Sequence, residues 1–271
     1  LYNLSDDQTE YQINDRMSFM RFLGINLCDK VPDAKTIWKF KNDLAETKTV
    51  NTLFCMFDEY LEKEGLISHK GTIVDATFVD APRQRNSRDE NKKIKNGEIP
   101  EEWEKPENKS KLAQKDTDAD WTKKNGERHF GYKDHVKCDA DSKLITNYSV
   151  TSASVHDSQR CLVFIGQEDE VLYADSAYSG KPIALALPEN CKNQICEKGY
   201  RNSPLTSEQK MNNRRKSRIR CRIEHIFVFM TGAMHGITIR SIGITRAWMN
   251  IGITNLVYNF CRYSYLKRAS A

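Results

Sequence analysis

Three acidic residues stand where a carboxylate is costly. Asp75 lies inside the run Thr72-Ile73-Val74-Asp75-Ala76-Thr77-Phe78-Val79-Asp80, and Asp175 directly follows Val171-Leu172-Tyr173-Ala174. Glu224 sits within Ile223-Glu224-His225-Ile226-Phe227. A charged group among such neighbours needs compensation. For any one acid alone, a salt bridge or a hydrogen-bonded cap supplies it. Three carboxylates brought together without a cation repel one another. A divalent ion such as Mg²⁺ or Mn²⁺, which takes carboxylate oxygens and water, resolves that repulsion. Two such ions about 3.5–4 Å apart align the attacking and leaving oxygens of a phosphoryl transfer.

The surroundings of Glu224 carry charge of one sign. Residues 201–271 hold 13 basic residues and two acidic ones, Glu208 and Glu224. Six of the bases, Arg214, Arg215, Lys216, Arg218, Arg220 and Arg222, lie just ahead of Glu224. The whole-chain net charge of +5 therefore averages +11 in this last quarter with −6 in the rest. A charge run is usually a solvated face. Like charges at i, i+4 destabilise a free helix, however, so a polyanion that neutralises them is the preferred reading. Contacts of this kind hold DNA by its phosphates, without reading sequence, and weaken with salt.

The elements that must position these groups follow from periodicity. Ser5 and Gln8 have capping-box spacing, and apolar residues from Tyr11 to Leu23 recur at helical intervals up to Gly24. Asp33 caps a second predicted helix through Leu44, with Ile37, Phe40 and Leu44 on one face, and a third runs from Val50 to Glu64. A helix-turn-helix with Lys35, Thr36, Lys39 and Lys41 toward DNA is one reading. A helical layer packed on the next domain is preferred, because the turn is long for that motif. Strands are predicted at 72–80, 130–138, 144–151, 171–175 and 194–197. Residues 82–127 lose almost all apolar character and read as a long, mostly irregular insertion. Helices are predicted from Asp157 or Ser158 to Gly166, over 179–187, from Thr206 or Ser207 through Phe229, and over 245–266. One sheet with helices after its strands is an α/β layered domain: a helical region at 1–68, then a catalytic domain at 69–271.

Composition narrows the class. The 271 residues are 39% hydrophobic and 29% charged, enough for a real core. No run of about 18 apolar residues predicts a membrane span, and the first residues do not form a signal peptide. The missing initiator Met leads us to expect a truncated frame or processed fragment. The eight cysteines, at 28, 55, 138, 161, 191, 196, 221 and 261, include no Cys-x-x-Cys pair. They read as reduced cytosolic thiols rather than as disulfides or a zinc site.

Taken together, several stretches resemble the DDE transposases of bacterial insertion sequences, specifically the insertion-sequence-five group. They are Ile73-Val74-Asp75-Ala76-Thr77, Gln114 to Ala119, Phe130-Gly131-Tyr132-Lys133, Val150 to Ser158, Tyr173 to Tyr178, and Arg218 to Phe227. The resemblance spans nearly the whole chain. It implies an RNase H-like fold, a mixed five-stranded sheet flanked by helices. It also implies that Asp75, Asp175 and Glu224 are a catalytic triad holding two Mg²⁺ (or Mn²⁺) ions. Arg220 matches the arginine that accompanies the Glu in related transposases. Two positions depart from the pattern: Ser217 stands where a tyrosine is expected, and Thr231 replaces a lysine that helps hold the transposon end. The implied partners are double-stranded DNA, both terminal inverted repeats and target, and a second copy of the chain in a synaptic homodimer. The implied location is the bacterial cytoplasm, at the nucleoid. An RNase H-like nuclease without strand transfer and an inactive or domesticated DNA-binding remnant are the rival functions. His156-Asp157 has two readings, one near the catalytic face and one in which Asp157 caps the next helix and His156 packs on it; the second is preferred. His225 reads as a packing or phosphate-contacting residue, since these metals prefer oxygen.

Overall fold

A computed structural model describes residues 1–124 and 126–269. Four helices open the chain: α1 (Asp6–Asp15), α2 (Met17–Leu23), α3 (Ala34–Glu46) and α4 (Thr49–Lys63). Ser5 and Gln8 form the predicted capping box, and Asp33 accepts the Thr36 N–H at 2.7 Å. The helix expected to run unbroken to Gly24 divides at Arg16, whose backbone is extended. Phe40 also departs from expectation, since it is 61% exposed. α3 instead buries Ala45, against Val50 of α4 and Met249 of the C-terminal helix. Lys41 pairs with Asp6 at 2.6 Å, which ties α3 to α1.

The sheet has six strands: β1 (Thr72–Asp80), β2 (Asp120–Lys124), β3 (Glu127–Asp139), β4 (Ile145–Ser152), β5 (Val171–Tyr173) and β6 (Lys192–Asn193). β3 is its spine. One edge of β3 pairs antiparallel with β1, from Thr72 opposite Asp139 to Asp80 opposite Gly131. The other edge takes β2 at its start and β4 further along, both antiparallel. β5 runs parallel to β1, and β6 parallel to β5. The sheet is therefore mixed, with one strand more than the sequence suggested. The extra strand, β2, comes from the end of the polar insertion. The last strand falls at 192–193 rather than 194–197, although Gln194 and Cys196 still donate to Leu172 and Ala174 beside it.

Neighbouring residues of β1 serve opposite faces, as a pleated strand requires. Ile73 packs with Tyr132, Val136, Ile223, Ile226 and Ile251. Val74 packs with Cys161, Phe164, Leu172, Tyr178 and Ile183. The second group is covered by α8 (Ser158–Phe164) and α9 (Lys181–Ala186). The first is covered by α10 (Ser207–Arg220), α11 (Glu224–Thr231) and α12 (Ile244–Ala269). Burial on both faces explains why β1 reads as a nearly continuous apolar run.

The insertion is ordered rather than irregular. It carries α5 (Arg88–Lys95), α6 (Glu101–Glu104) and α7 (Lys109–Ala113). These surround Trp103, which is fully buried and donates its indole N–H to Glu90 at 2.7 Å. The Lys111 and Lys115 ammonium groups lie 5.4 and 5.1 Å from its ring centroid. One tryptophan thus serves as a local core for a stretch too polar to build another. The insertion leaves and rejoins the sheet across a single residue, because Asp80 and Asp120 both lie opposite Gly131. Gly131 has φ +146, and a Cβ there would meet the Val79 carbonyl oxygen at 2.3 Å. Only glycine fits so close an approach.

Among the described residues, no helix is long and apolar enough to cross a membrane. The longest, α12, lies across the sheet and presents two buried asparagines. Asn259 takes the Ile145 N–H at 2.9 Å and donates to the Ile145 carbonyl at 2.7 Å. Both bonds would be lost in Asn259→Leu, leaving two buried backbone groups unpaired. We expect a loss of about 2–4 kcal/mol. It should appear as a lower urea midpoint with an unchanged slope; an unaltered midpoint would show the two bonds to be dispensable.

Candidate active site

Strand lengths create the site. β1 has nine residues and β5 only three, and β5 pairs with Thr72 and Ile73 alone. Among the described residues, no strand covers that edge of β1 beyond Ile73. Asp75 stands at the start of the uncovered stretch. Asp175 follows two residues after β5 and caps a short turn, accepting the Ala177 N–H at 2.7 Å. Glu224 is the first residue of α11. All three line one open cleft of about 360 Å³, together with Arg220, Phe227, Phe78 and, from the β2–β3 turn, Lys124, Glu127 and His129.

Glu224 reaches this position because the predicted long helix breaks. α10 ends at Arg220, and the backbone tightens to i→i+3 bonds from Ile223 to Arg220, Glu224 to Cys221 and His225 to Arg222. The break leaves Glu224 at a helix N-terminus, where the dipole favours a negative charge. It also lets Arg220 turn inward. One guanidinium nitrogen, Nη1, donates to Asp75 Oδ2 at 2.6 Å and to Glu224 Oε1 at 3.2 Å.

Asp75 is 9% exposed. Burial raises its pKa to about 6; the Ala76 N–H and Arg220 pull it down, and the charges of Asp175 and Glu224 push it up. Burial works against the Arg220 charge as well, yet Asp75 and Glu224 outweigh it and hold that pKa above the usual value. Behind the acids, the Tyr178 hydroxyl is buried without a hydrogen-bond partner among the described residues. Burial, then the charges of Asp75 and Asp157, push its pKa upward.

The basic residues divide into two groups. Besides Arg220, Lys216 donates to the Ile195 carbonyl at 2.9 Å, and Arg222 to Ala140 and Asp141 at 2.8 and 2.9 Å. These three hold α10 to the protein rather than lying free for a ligand. Arg214, Arg215 and Arg218 are exposed, and among the described residues their side chains make no hydrogen bond or ion pair within the chain.

The histidines also sort out. Asp157 occupies the position before α8, but its side chain makes no cap bond. It pairs instead with buried Lys133 at 2.8 Å, and the cap comes from His156, whose Nδ1 accepts the Ser158 N–H at 3.3 Å. Asp157 does not cap, because a lysine on β3 offers its carboxylate a stronger partner than a backbone N–H, and His156, expected to pack on the helix, is exposed. A second pair, Lys137 with Asp169 at 2.9 Å, fixes the chain just beyond α8. His225 is exposed, and neither it nor His156 lines the cleft. Phe78, Lys124, Glu127 and His129 do line it, and sequence reasoning missed them. Phe78 was close to Asp75 in the run, but the β2–β3 turn had no signal that placed it there.

The donor set suits a hard divalent cation. Its side chains are carboxylates alone; burial is the main cause of the raised Asp75 pKa, and the charges of Asp175 and Glu224 add to it. Among the described residues, one His/Cys/Asp/Glu group has ligand atoms all within 4.8 Å: His69, Glu168 and Asp169. Lys137 already neutralises that group, at 2.9 Å from Asp169 and 3.5 Å from Glu168. In the cleft the Arg220 guanidinium lies between Asp75 and Glu224, and the acids are spaced more widely.

The Asp75 pKa of about 6 lies above the unfolded value near 3.9. Its contribution to stability is therefore full below pH about 4 and is lost as pH rises through 6. Asp75→Asn removes that dependence. In chelator-treated protein, the variant should gain on the parent by about 2–3 kcal/mol between pH 4 and pH 8. Thermal melts across that range measure it; a gap that does not change with pH would contradict the buried-carboxylate account.

No solved structure matches the chain. Two family models do. One, described as a transposase domain (DUF772), matches residues 1–43. The other covers 67–260, which includes every strand, all three acids of the cleft and the basic helix ahead of Glu224. That second model is the transposase DDE domain: the chain belongs to this family, and its function is that of a DNA transposase.

Proposed function

We propose that Asp75, Asp175 and Glu224 are the catalytic carboxylates of this transposase, in an element of the insertion-sequence-five group. The observation that carries the proposal is convergence: acids from three separate elements line one cleft, and one arginine bridges two of them. Two divalent cations, Mg²⁺ or Mn²⁺, held by these oxygens would supply charge neutralisation to the attacked phosphate and activation of the attacking group. Hydrolysis at the element's end then frees a 3′-hydroxyl, and that hydroxyl attacks a target phosphodiester in line. Arg220 keeps the two acids compensated when no cation is bound, so the site stays folded and ready.

The DNA involved is the element's terminal inverted repeats and the target duplex, which places the work at the bacterial nucleoid. Arg214, Arg215 and Arg218 are the backbone-binding face of α10, since they are exposed and unpaired. Lys216, Arg220 and Arg222 support that face from below. Thr231 takes no part in holding the end, because its hydroxyl bonds back to Phe227 and Val228 on its own helix. His156, Asp157 and His225 are auxiliary at most. We assign residues 1–68 to a helical region and 69–271 to the catalytic domain, and synapsis to a homodimer that brings two ends together.

The test is cation-dependent nicking of supercoiled plasmid. Asp75→Asn, Asp175→Asn and Glu224→Gln should each lower the rate by on the order of a thousandfold, while anisotropy still reports DNA binding. Full cleavage by any of the three would remove that residue from the catalytic set.

A further inference from the structure

The wall of the cleft formed by the β2–β3 turn has no assigned role. It contributes Lys124, Glu127 and His129 to the lining. The strand ends on either side of it carry three exposed cations: Lys123 and Lys124 on β2, and Arg128 on β3. Among the described residues none of the three forms an ion pair. Glu127, the acid beside them, lies 3.9 Å from His129 Nε2 instead.

The register makes this arrangement costly. Lys123 lies directly opposite Arg128, and Lys124 opposite Glu127. Like charges facing each other across an antiparallel pair destabilise it. The pleat puts Lys124, Glu127 and His129 on one face and Lys123 and Arg128 on the other, so each face carries a cation, and the second face carries two with no acid opposite them. Lys124 is also held in place: its ammonium lies 5.5 Å from the Phe78 ring centroid. That ring stacks on His129 at 4.2 Å, with 6° between the planes. A cation seated on a stacked pair keeps its charge available, since an aromatic face neutralises little of it.

We infer that the paired end of β2 and start of β3 form a second DNA-binding element, in which Lys123, Lys124 and Arg128 hold phosphates of the duplex whose scissile bond lies at the three acids. The inference rests on the reading of those acids as the site of DNA cleavage. An extended polyanion with a charge every ~1.7 Å meets cations on both faces of a ribbon, as a compact anion does not. The duplex is then gripped from two sides of the cleft, by the turn and by Arg214, Arg215 and Arg218 of α10. The contacts are to backbone, so they position DNA without reading it.

Fluorescence anisotropy of the full chain with a labelled duplex of unrelated sequence, without divalent cation, tests this across a salt series. Substituting Lys123, Lys124 and Arg128 together by Ala should make the slope of log K against log salt less negative by about 2–3. The single change Lys124→Gln should shift it by about 1; it serves if the triple variant does not fold. The melting temperature of the triple variant should change little, because the repulsive Lys123–Arg128 pair is lost together with the Lys124 contact to Phe78 and its facing charge on Glu127. Arg214, Arg215 and Arg218 changed to Ala form the companion arm. If the turn variants keep the parent slope while the helix variant flattens it, the second grip is overturned. If neither flattens it, both DNA-binding surfaces are overturned. Plasmid nicking by the same proteins reports separately on the acids, so the catalytic reading stands or falls on its own.

Discussion

The site depends on one guanidinium. Arg220 sits between Asp75 on the central strand and Glu224 on the helix that follows it, and it bonds to both. Without it, a 9% exposed aspartate would face two further carboxylates with only its own neighbouring N–H for support. Losing one member of such a buried set typically costs far more than the set contributes when complete. Arg220 and Glu224 keep the i, i+4 spacing that puts both on one side of the chain, and between them the helix breaks at 221–223. The backbone tightens there, and the arginine and the glutamate then both address the same strand.

Around that contact the fold uses buried polar pairs as fasteners. Lys133 with Asp157 and Lys137 with Asp169 secure the chain before and after α8. Asn259 fastens α12 to the start of β4. Each pair links elements far apart in sequence, and each replaces a bond to water with one that has a single geometry. The apolar clusters on the two faces supply the bulk of the burial. These pairs supply the registration that keeps three carboxylates from distant parts of the chain within one cleft.

Much of this was legible in the residues. Asp75 and Asp175 stood out because a lone acid in a β-branched run has few bland explanations, and Glu224 because of the arginines before it. Asp33, Ser5 and Thr206 marked helix starts through capping chemistry that is local in sequence. What escaped was non-local. β2 contains Lys123 and Lys124 and becomes a strand only because β3 pairs with it. The insertion looked irregular because a single buried residue, Trp103, organises it, and no periodicity records that. Arg220 and Arg222 looked like free cations, since sequence shows charge but not the carbonyl or carboxylate each one meets. The loss of the expected Asp157 cap had the same origin: its partner Lys133 lies on a strand more than twenty residues away.

The close passage at Gly131 sets how this chain can vary. Asp80 and Asp120, where the insertion departs and returns, flank that one residue on its two edges. Two strand spacings, about 10 Å, separate the ends. Everything between them is thus an outgrowth on a fixed socket. It can lengthen, shorten or be exchanged without shifting the register of β1 or β3 by a residue, so the spacing of Asp75 from its partners is insulated from it. Such a socket lets one catalytic frame carry different appendages at the mouth of its cleft, while the glycine beneath it stays the position least free to change.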